Sequence, residues 1–161
     1  MTTTRCLSSA LAGATLSALL AFLAPPAAGQ AAPAKPQAVT RTADDPQLAW
    51  GPCPAFLPKG CQIAVLHGDP AKPNVDVFLK VPPGSTLPSH WHTSAERMVL
   101  VAGELHVTYE GQKTAVLKPG TYAYGPPRLP HTGVCQQAGA CVLFIAFESP
   151  LDAVPFEGAI R

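Results

Sequence analysis

At 161 residues the chain has room for one domain and a tail, and hardly for two. A formal net charge of +1, with only 13% charged residues and no cluster of Lys or Arg, offers no basic face and excludes nucleic acid as a partner. Nineteen Pro and thirteen Gly interrupt the chain too often for a helical bundle and favour short strands joined by turns. A domain of ~130 residues buries a sufficient core unaided, so any bound metal serves function before stability.

Residues 1–29 read as an export signal. Arg5 is the only charge near the start, residues 7–23 are apolar with small residues mixed in, and Ala27, Ala28 and Gly29 suit cleavage before Gln30. A run of ~18 apolar residues just suffices to span a bilayer. Its Ala, Ser and Thr and the Pro25-Pro26 break favour removal instead. The expectation is a secreted or periplasmic protein with no membrane partner once the signal is gone. Residues 30–46, mostly Ala, Pro, Gln and Thr, bury too little to offset their ordering entropy and are expected to form a flexible linker. Residues 47–161 are the expected folded domain.

Loss of the signal removes Cys6 and leaves Cys53, Cys61, Cys135 and Cys141. An even number in an exported chain points to two disulfides, and of the three pairings local spacing favours Cys53–Cys61 with Cys135–Cys141. Loops this short stabilise by ~2–3 kcal/mol each in the chain-entropy account. Neither pair has the Cys-x-x-Cys spacing that suits zinc.

Residues 51–60 are Pro-rich and irregular, and strands follow one another from there. The expected strands are residues 63–66, 75–81, 97–101, 105–109, 112–117, 121–124, 131–135 and 141–147. In 75–81 the period of two puts Val75, Val77, Leu79 and Val81 on one face. Ala102-Gly103-Glu104 and Lys118-Pro119-Gly120 supply turns. About eight short strands without an amphipathic helix predict an all-β fold, a single antiparallel β-barrel or jelly roll whose closure removes exposed edges. Residues 142–147 are apolar on both faces, with Leu143, Ile145 and Phe147 on one and Val142, Phe144 and Ala146 on the other. The second face must meet either the segment around Trp50 and Phe56 or a symmetry mate, and a homodimer is the expectation.

His90-Trp91-His92 is the informative triplet. Side chains two apart on an extended strand share a face, so both imidazoles converge while Trp91 points away. Glu96 follows closely enough to add a carboxylate, and this donor set suits Fe, Mn, Zn, Ni or Cu. His67 and His106 sit at a turn and on a polar strand face, and are expected to be surface residues.

The spacing Gly84, His90-x-His92, Glu96, Gly103 resembles the first motif of the cupin superfamily with each fixed position filled. Gly120, Pro126 and His131 are similar to its second motif, which contributes the fourth ligand. The strand pattern extends the resemblance over about residues 63–148. Arg128 stands where the family usually has Gly, and Cys135 where it often has Asn. Short exported cupins with this Pro-Pro-Gly lead are similar to the cupin half of an anti-sigma factor. The resemblance implies an RmlC-like jelly roll, or double-stranded β-helix, holding one divalent ion through His90, His92, Glu96 and His131. Fe, Mn or Cu is preferred, with Zn and Ni as alternatives.

Strand parity from Glu96 turns Met98 and Leu100 inward, so Met98 is a pocket candidate. Tyr122 and Tyr124 share a face and are candidates to present a hydroxyl, and Arg128 is a candidate to pair with a substrate carboxylate. The reaction that best suits such a centre is oxidation of a small organic substrate by O2, as in dioxygenase-type oxidoreductases. The alternatives are a metal-dependent isomerase or hydrolase, or a non-catalytic metal- or ligand-sensing module.

Overall fold

The structure, a computed structural model, describes residues 37–161. The expected export signal and the first part of the expected linker lie outside the described residues. Residues Val39–Arg161 form one compact unit. The described part of the linker holds no strand and is tied by an Arg41–Asp45 ion pair.

Eleven strands build the unit: β1 (Gly51–Pro52), β2 (Gln62–His67), β3 (Val75–Val81), β4 (Thr86–Trp91), β5 (Glu96–Ala102), β6 (Leu105–Tyr109), β7 (Ala115–Leu117), β8 (Tyr122–Gly125), β9 (His131–Cys135), β10 (Cys141–Phe147) and β11 (Val154–Pro155). They form two antiparallel sheets, one ordered β1-β2-β3-β10-β5-β8 and the other β11-β4-β9-β6-β7. The jelly roll expected from the sequence is present, but hydrogen bonds do not close it into a barrel. Four edges remain, and the two-residue strands β1 and β11 keep two of them too short to template further pairing.

Alternation places the core between the sheets. Val75, Val77 and Val81 of β3, Met98 and Leu100 of β5, Leu105 and Val107 of β6, and Leu143, Ile145 and Phe147 of β10 form one buried cluster. β10 lies between β3 and β5, so Leu143 meets Leu79 and Leu100, and Ile145 meets Val77 and Met98. The outer face of β10 carries Val142 and Phe144, opposite Lys80 and Phe78. Val142 and Phe78 are buried there, and the Lys80 ammonium lies 4.2 Å from the centre of the Trp50 ring. Of the two aromatics expected on this face, Trp50 is therefore present. Phe56 lies elsewhere, its ring centre 6.0 Å from that of His90.

Three strands lie outside the expected ones, the two-residue β1 and β11 and the longer β4. In β4, Pro88 interrupts the pattern and has no N–H for the ladder, so the register with β9 shifts between Leu87 and His90. Proline is tolerated at such an irregularity, and His90 then faces His131 across the two strands. Both disulfides form as expected, Cys53–Cys61 and Cys135–Cys141, with Cα separations of 5.5 and 5.8 Å. Gly103 shows why its turn tolerates no side chain. Its φ is +81°, and a Cβ there would lie 2.6 Å from the Ala140 carbonyl oxygen.

Candidate metal centre

Three elements converge at one end of the space between the sheets. β4 brings His90, the turn leaving it brings His92, β5 opens with Glu96, and β9 opens with His131. All four side chains are buried. Ring nitrogens of His90, His92 and His131 lie within 4.8 Å of one another. Glu96 places Oε1 3.2 Å from His92 Nε2 and Oε2 3.5 Å from His131 Nε2. Trp91, between the two histidines, meets the Arg128 guanidinium, 5.6 Å from its ring centre.

Each imidazole is held by a backbone carbonyl. His90 Nδ1 is 2.6 Å from the Pro88 oxygen, His131 Nδ1 is 3.1 Å from the Leu129 oxygen, and His92 Nδ1 bonds to the Asp152 oxygen. A carbonyl only accepts, so each Nδ1 carries the proton and each Nε2 presents a lone pair. That is the tautomer a metal ligand needs, with the outer nitrogen anchored in the usual way. His92 Nε2 is buried without a hydrogen-bond partner, the orphan expected of a ligand atom. The donor set and its tautomers therefore fit a divalent ion.

Burial sets the charge state. It lowers His90 and His131 to about 4, by desolvation of the charged ring above all, and lowers His92 in the same direction. Burial also raises Glu96 to about 7, partly opposed by His131. Three neutral imidazoles at pH 7 are ready to donate without first losing protons.

The backbone around the turn is clamped from the far end of the chain. Ser94 Oγ accepts the N–H groups of Glu148 at 2.8 Å and Ser149 at 3.0 Å. Asp152 accepts the Thr93 N–H on its side chain at 2.8 Å while its carbonyl holds His92. β11 then pairs with β4 beside His90. No sequence motif marks Ser94 or Asp152, because their partners are about 55–60 positions away.

Met98 lines the site as parity required. Tyr122 and Tyr124 do not. They are 60% and 50% exposed, because β8 pairs Ala123 with Met98 and Gly125 with Glu96, turning both tyrosines to the outer face. Arg128 is also outside. Its guanidinium lies over the Trp91 ring at 5.6 Å. Its φ of 61° explains why glycine is usual at this position in the family, and its N–H still reaches the His92 carbonyl at 2.8 Å. Cys135 is consumed by its disulfide. His67 is exposed, and His106 pairs with Glu104 at 2.8 Å, so both lie outside the centre as expected.

The tyrosine that does reach the site is Tyr109, which the sequence reading passed over. It ends β6 opposite His131, and their ring centres are 5.0 Å apart. The alternation Leu105, Val107, Tyr109 carried the signal. Its hydroxyl is buried without a partner. Burial first, and the Glu96 charge second, push its pKa well above the ordinary phenol value, so it remains a donor. A Cβ on Gly125 would fall 3.0 Å from Tyr109 Oη and 3.1 Å from Glu96 Oε2. Gly125→Ala should therefore destabilise the protein by about 1–3 kcal/mol through overpacking. A lowered Tm would show it, and an unchanged Tm would mean that both side chains yield freely.

The site opens into a cavity of about 480 Å³. Its walls are Leu57, Ile63, Val65, Val77, Leu79, Leu87, Met98, Leu143, Ile145 and neighbouring apolar groups, with the polar side chains gathered at the histidine end.

Residues 38–150 match the family described as the ChrR Cupin-like domain. The chain belongs to this cupin family. No curated protein matches the chain. Among solved structures the cupin is similar to the DMSP lyase DddQ from Ruegeria pomeroyi DSS-3, at 20% identity and a TM-score of 0.60, covering 70% of this chain and 64% of that one. It is similar to the polyketide cyclase RemF from Streptomyces resistomycificus, at 18% identity and a TM-score of 0.60, covering 75% and 88%. An oxalate oxidase gives 19% identity and a TM-score of 0.52, covering 61% and 56%. The cupin thus spans less than two thirds of the lyase and of the oxidase. At these identities the likeness shows the fold.

Proposed function

We propose that this cupin is an exported mononuclear metal enzyme, an oxidoreductase of dioxygenase type acting on a small organic substrate, with the ion held by His90, His92, Glu96 and His131. The observation that carries the reading is the pairing of three neutral, pre-oriented imidazoles and a carboxylate with a cavity that is otherwise apolar. A bound divalent ion, with Fe, Mn or Cu ahead of Zn or Ni, would supply Lewis acidity and, where redox-active, electrons for O2 chemistry. The residues do the rest. The carbonyls of Pro88, Leu129 and Asp152 fix the rings, the Ser94 and Asp152 clamps hold the turn, and Met98, Leu143 and Ile145 exclude water from the reacting groups. An oxalate oxidase and a polyketide cyclase share the fold, which accommodates both oxidative and non-oxidative chemistry.

Elemental analysis of the purified protein, with oxygen uptake on phenols, diketones and sugars, tests the proposal. Iron, manganese or copper with substrate-dependent uptake supports it. Zinc with no uptake on any of them rejects the oxidative reading. One observation favours a second reading, a non-catalytic ligand-binding module: beyond the four polar residues and Tyr109, the cavity side chains are almost all apolar. Tight ligand binding without turnover would select it.

The proposal extends to export, with which the two disulfides are compatible, and to a two-fold dimer. Tyr122, Tyr124 and Val101 leave exposed apolar surface on the outer face of the six-stranded sheet. Light scattering at micromolar concentration should return twice the chain mass. A monomer would reject the dimer and leave that face to solvent.

A further inference from the structure

The cavity also specifies its occupant, on the reading that it is the site of the proposed chemistry. Every lining side chain with hydrogen-bonding capacity sits at one end or is already engaged. His90, His92, Glu96, His131 and Tyr109 surround the head of the cavity, and Asp152 at its rim accepts from Thr93. Among the described residues that line it, none is Lys or Arg. A charged group in the body of the cavity would therefore lose its hydration without gaining a partner.

The head is different. Tyr109 Oη is buried and unpartnered, and its donor stands beside Glu96 Oε2, both closing on Gly125. A buried hydroxyl without a partner is rare in a folded protein and calls for a role or an unseen partner, and a head group entering the cavity supplies one. Tyr109 is 7% exposed, and its ring packs against His131. Its position is thus fixed before a ligand arrives, which lowers the entropic cost of the contact.

We infer that the cavity takes a small organic molecule with a single oxygen-bearing head group and an uncharged apolar body, the head accepting a hydrogen bond from Tyr109 beside the histidine cluster. The volume of about 480 Å³ lies in the range of small-molecule sites. Val65, 43% exposed, borders the cavity and is the place where a change of charge would alter what the body can carry.

Two rigid probes of similar shape test this. 4-Methylbenzoate carries one carboxylate, and terephthalate carries a second at the opposite end of the ring. Calorimetry on the metal-containing protein should show terephthalate binding at least about tenfold more weakly, for want of any partner for its second charge. Tyr109→Phe should weaken 4-methylbenzoate roughly tenfold, the loss of one hydrogen bond to a charged acceptor, with metal content unchanged. Val65→Lys, a substitution at a half-open position of the cavity wall, should narrow or reverse the preference for 4-methylbenzoate over terephthalate. Equal affinity of the wild type for both probes, or no effect of Tyr109→Phe, overturns the inference. The proposed metal chemistry is read separately. Protein that contains no metal when purified, yet binds 4-methylbenzoate in a Tyr109-dependent way, removes the metal centre and keeps this inference. Protein that consumes O2 but is indifferent to Tyr109 does the reverse.

Discussion

Replacing His92 with Ala should reduce the metal content from about one ion per chain to below about a tenth of that, while the two sheets stay folded. His92 is the residue whose Nε2 is buried with no hydrogen-bond partner. Its removal leaves His90 and His131 with Glu96, a weaker and less symmetric donor set. The fold survives because the core cluster of β3, β5, β6, β9 and β10 is apolar and cross-linked at Cys135–Cys141, and does not rely on an ion. The local cost is the Asp152 carbonyl left unpaired, about 1–3 kcal/mol. Inductively coupled plasma mass spectrometry with far-ultraviolet circular dichroism separates the two effects. Full metal content in the folded variant would remove His92 from the ligand set. Loss of the folded spectrum would show that the clamp on His92 is structural.

Acid should destabilise the metal-free protein steeply between pH 6.5 and about 4. In the unfolded chain the histidines take protons near 6.5, but His90 and His131 in the folded state resist until about 4, and His92 shifts in the same direction. Folded values below the unfolded ones mean that the unfolded chain binds more protons across this window. The stability present above pH 6.5 is therefore lost as pH falls through it. Glu96 acts in the opposite sense. Its folded value of about 7 lies above the ordinary 4.5, so acidification from pH 7 to 4.5 favours the folded form. His90 and His131 together outweigh Glu96, so near pH 5.5 unfolding takes up roughly one proton, about 1.4 kcal/mol per pH unit, and His92 adds in the same direction. Urea unfolding of chelated protein at pH 7, 6 and 5 measures the slope. A flat profile would mean that the histidine cluster admits water in the metal-free state.

The site was legible in the sequence where its geometry is local. The two-residue spacing of His90 and His92 turns both rings to one side where the chain runs extended, and the Asp152 carbonyl then holds His92 there. Gly103 and Gly120 mark positive-φ turns that only glycine enters cheaply. The cysteine pairs were legible for the same reason, since loops this short leave the partners close by. β4 was obscured because Pro88 breaks the pattern that marks a strand, even though its carbonyl is what holds His90.

Parity served equally well and less well depending on its anchor. Counted from Glu96 along β5 it placed Met98 in the cavity correctly, because the whole strand shares one pleat. β8 had no such anchor. Tyr122 and Tyr124 share a face, but which face is settled by the pairing of Gly125 with Glu96. Tyr109 was available from the alternation in β6, and became meaningful only when β6 was found beside β9.

What the sequence determined by itself was the strand-rich fold, the two cross-links and the nearness of His90, His92 and Glu96, with His131 added as the resemblance to the cupin motifs implies. Each rests on spacing along the chain, and spacing is conserved on folding. The tertiary structure alone decided the Ser94 and Asp152 clamps, the inward turn of Tyr109, the outward turn of Tyr122, Tyr124 and Arg128, and the apolar body of the cavity. Those depend on which strands become neighbours. Neighbours across a sheet are chosen by the burial of whole faces, which no single stretch of sequence records.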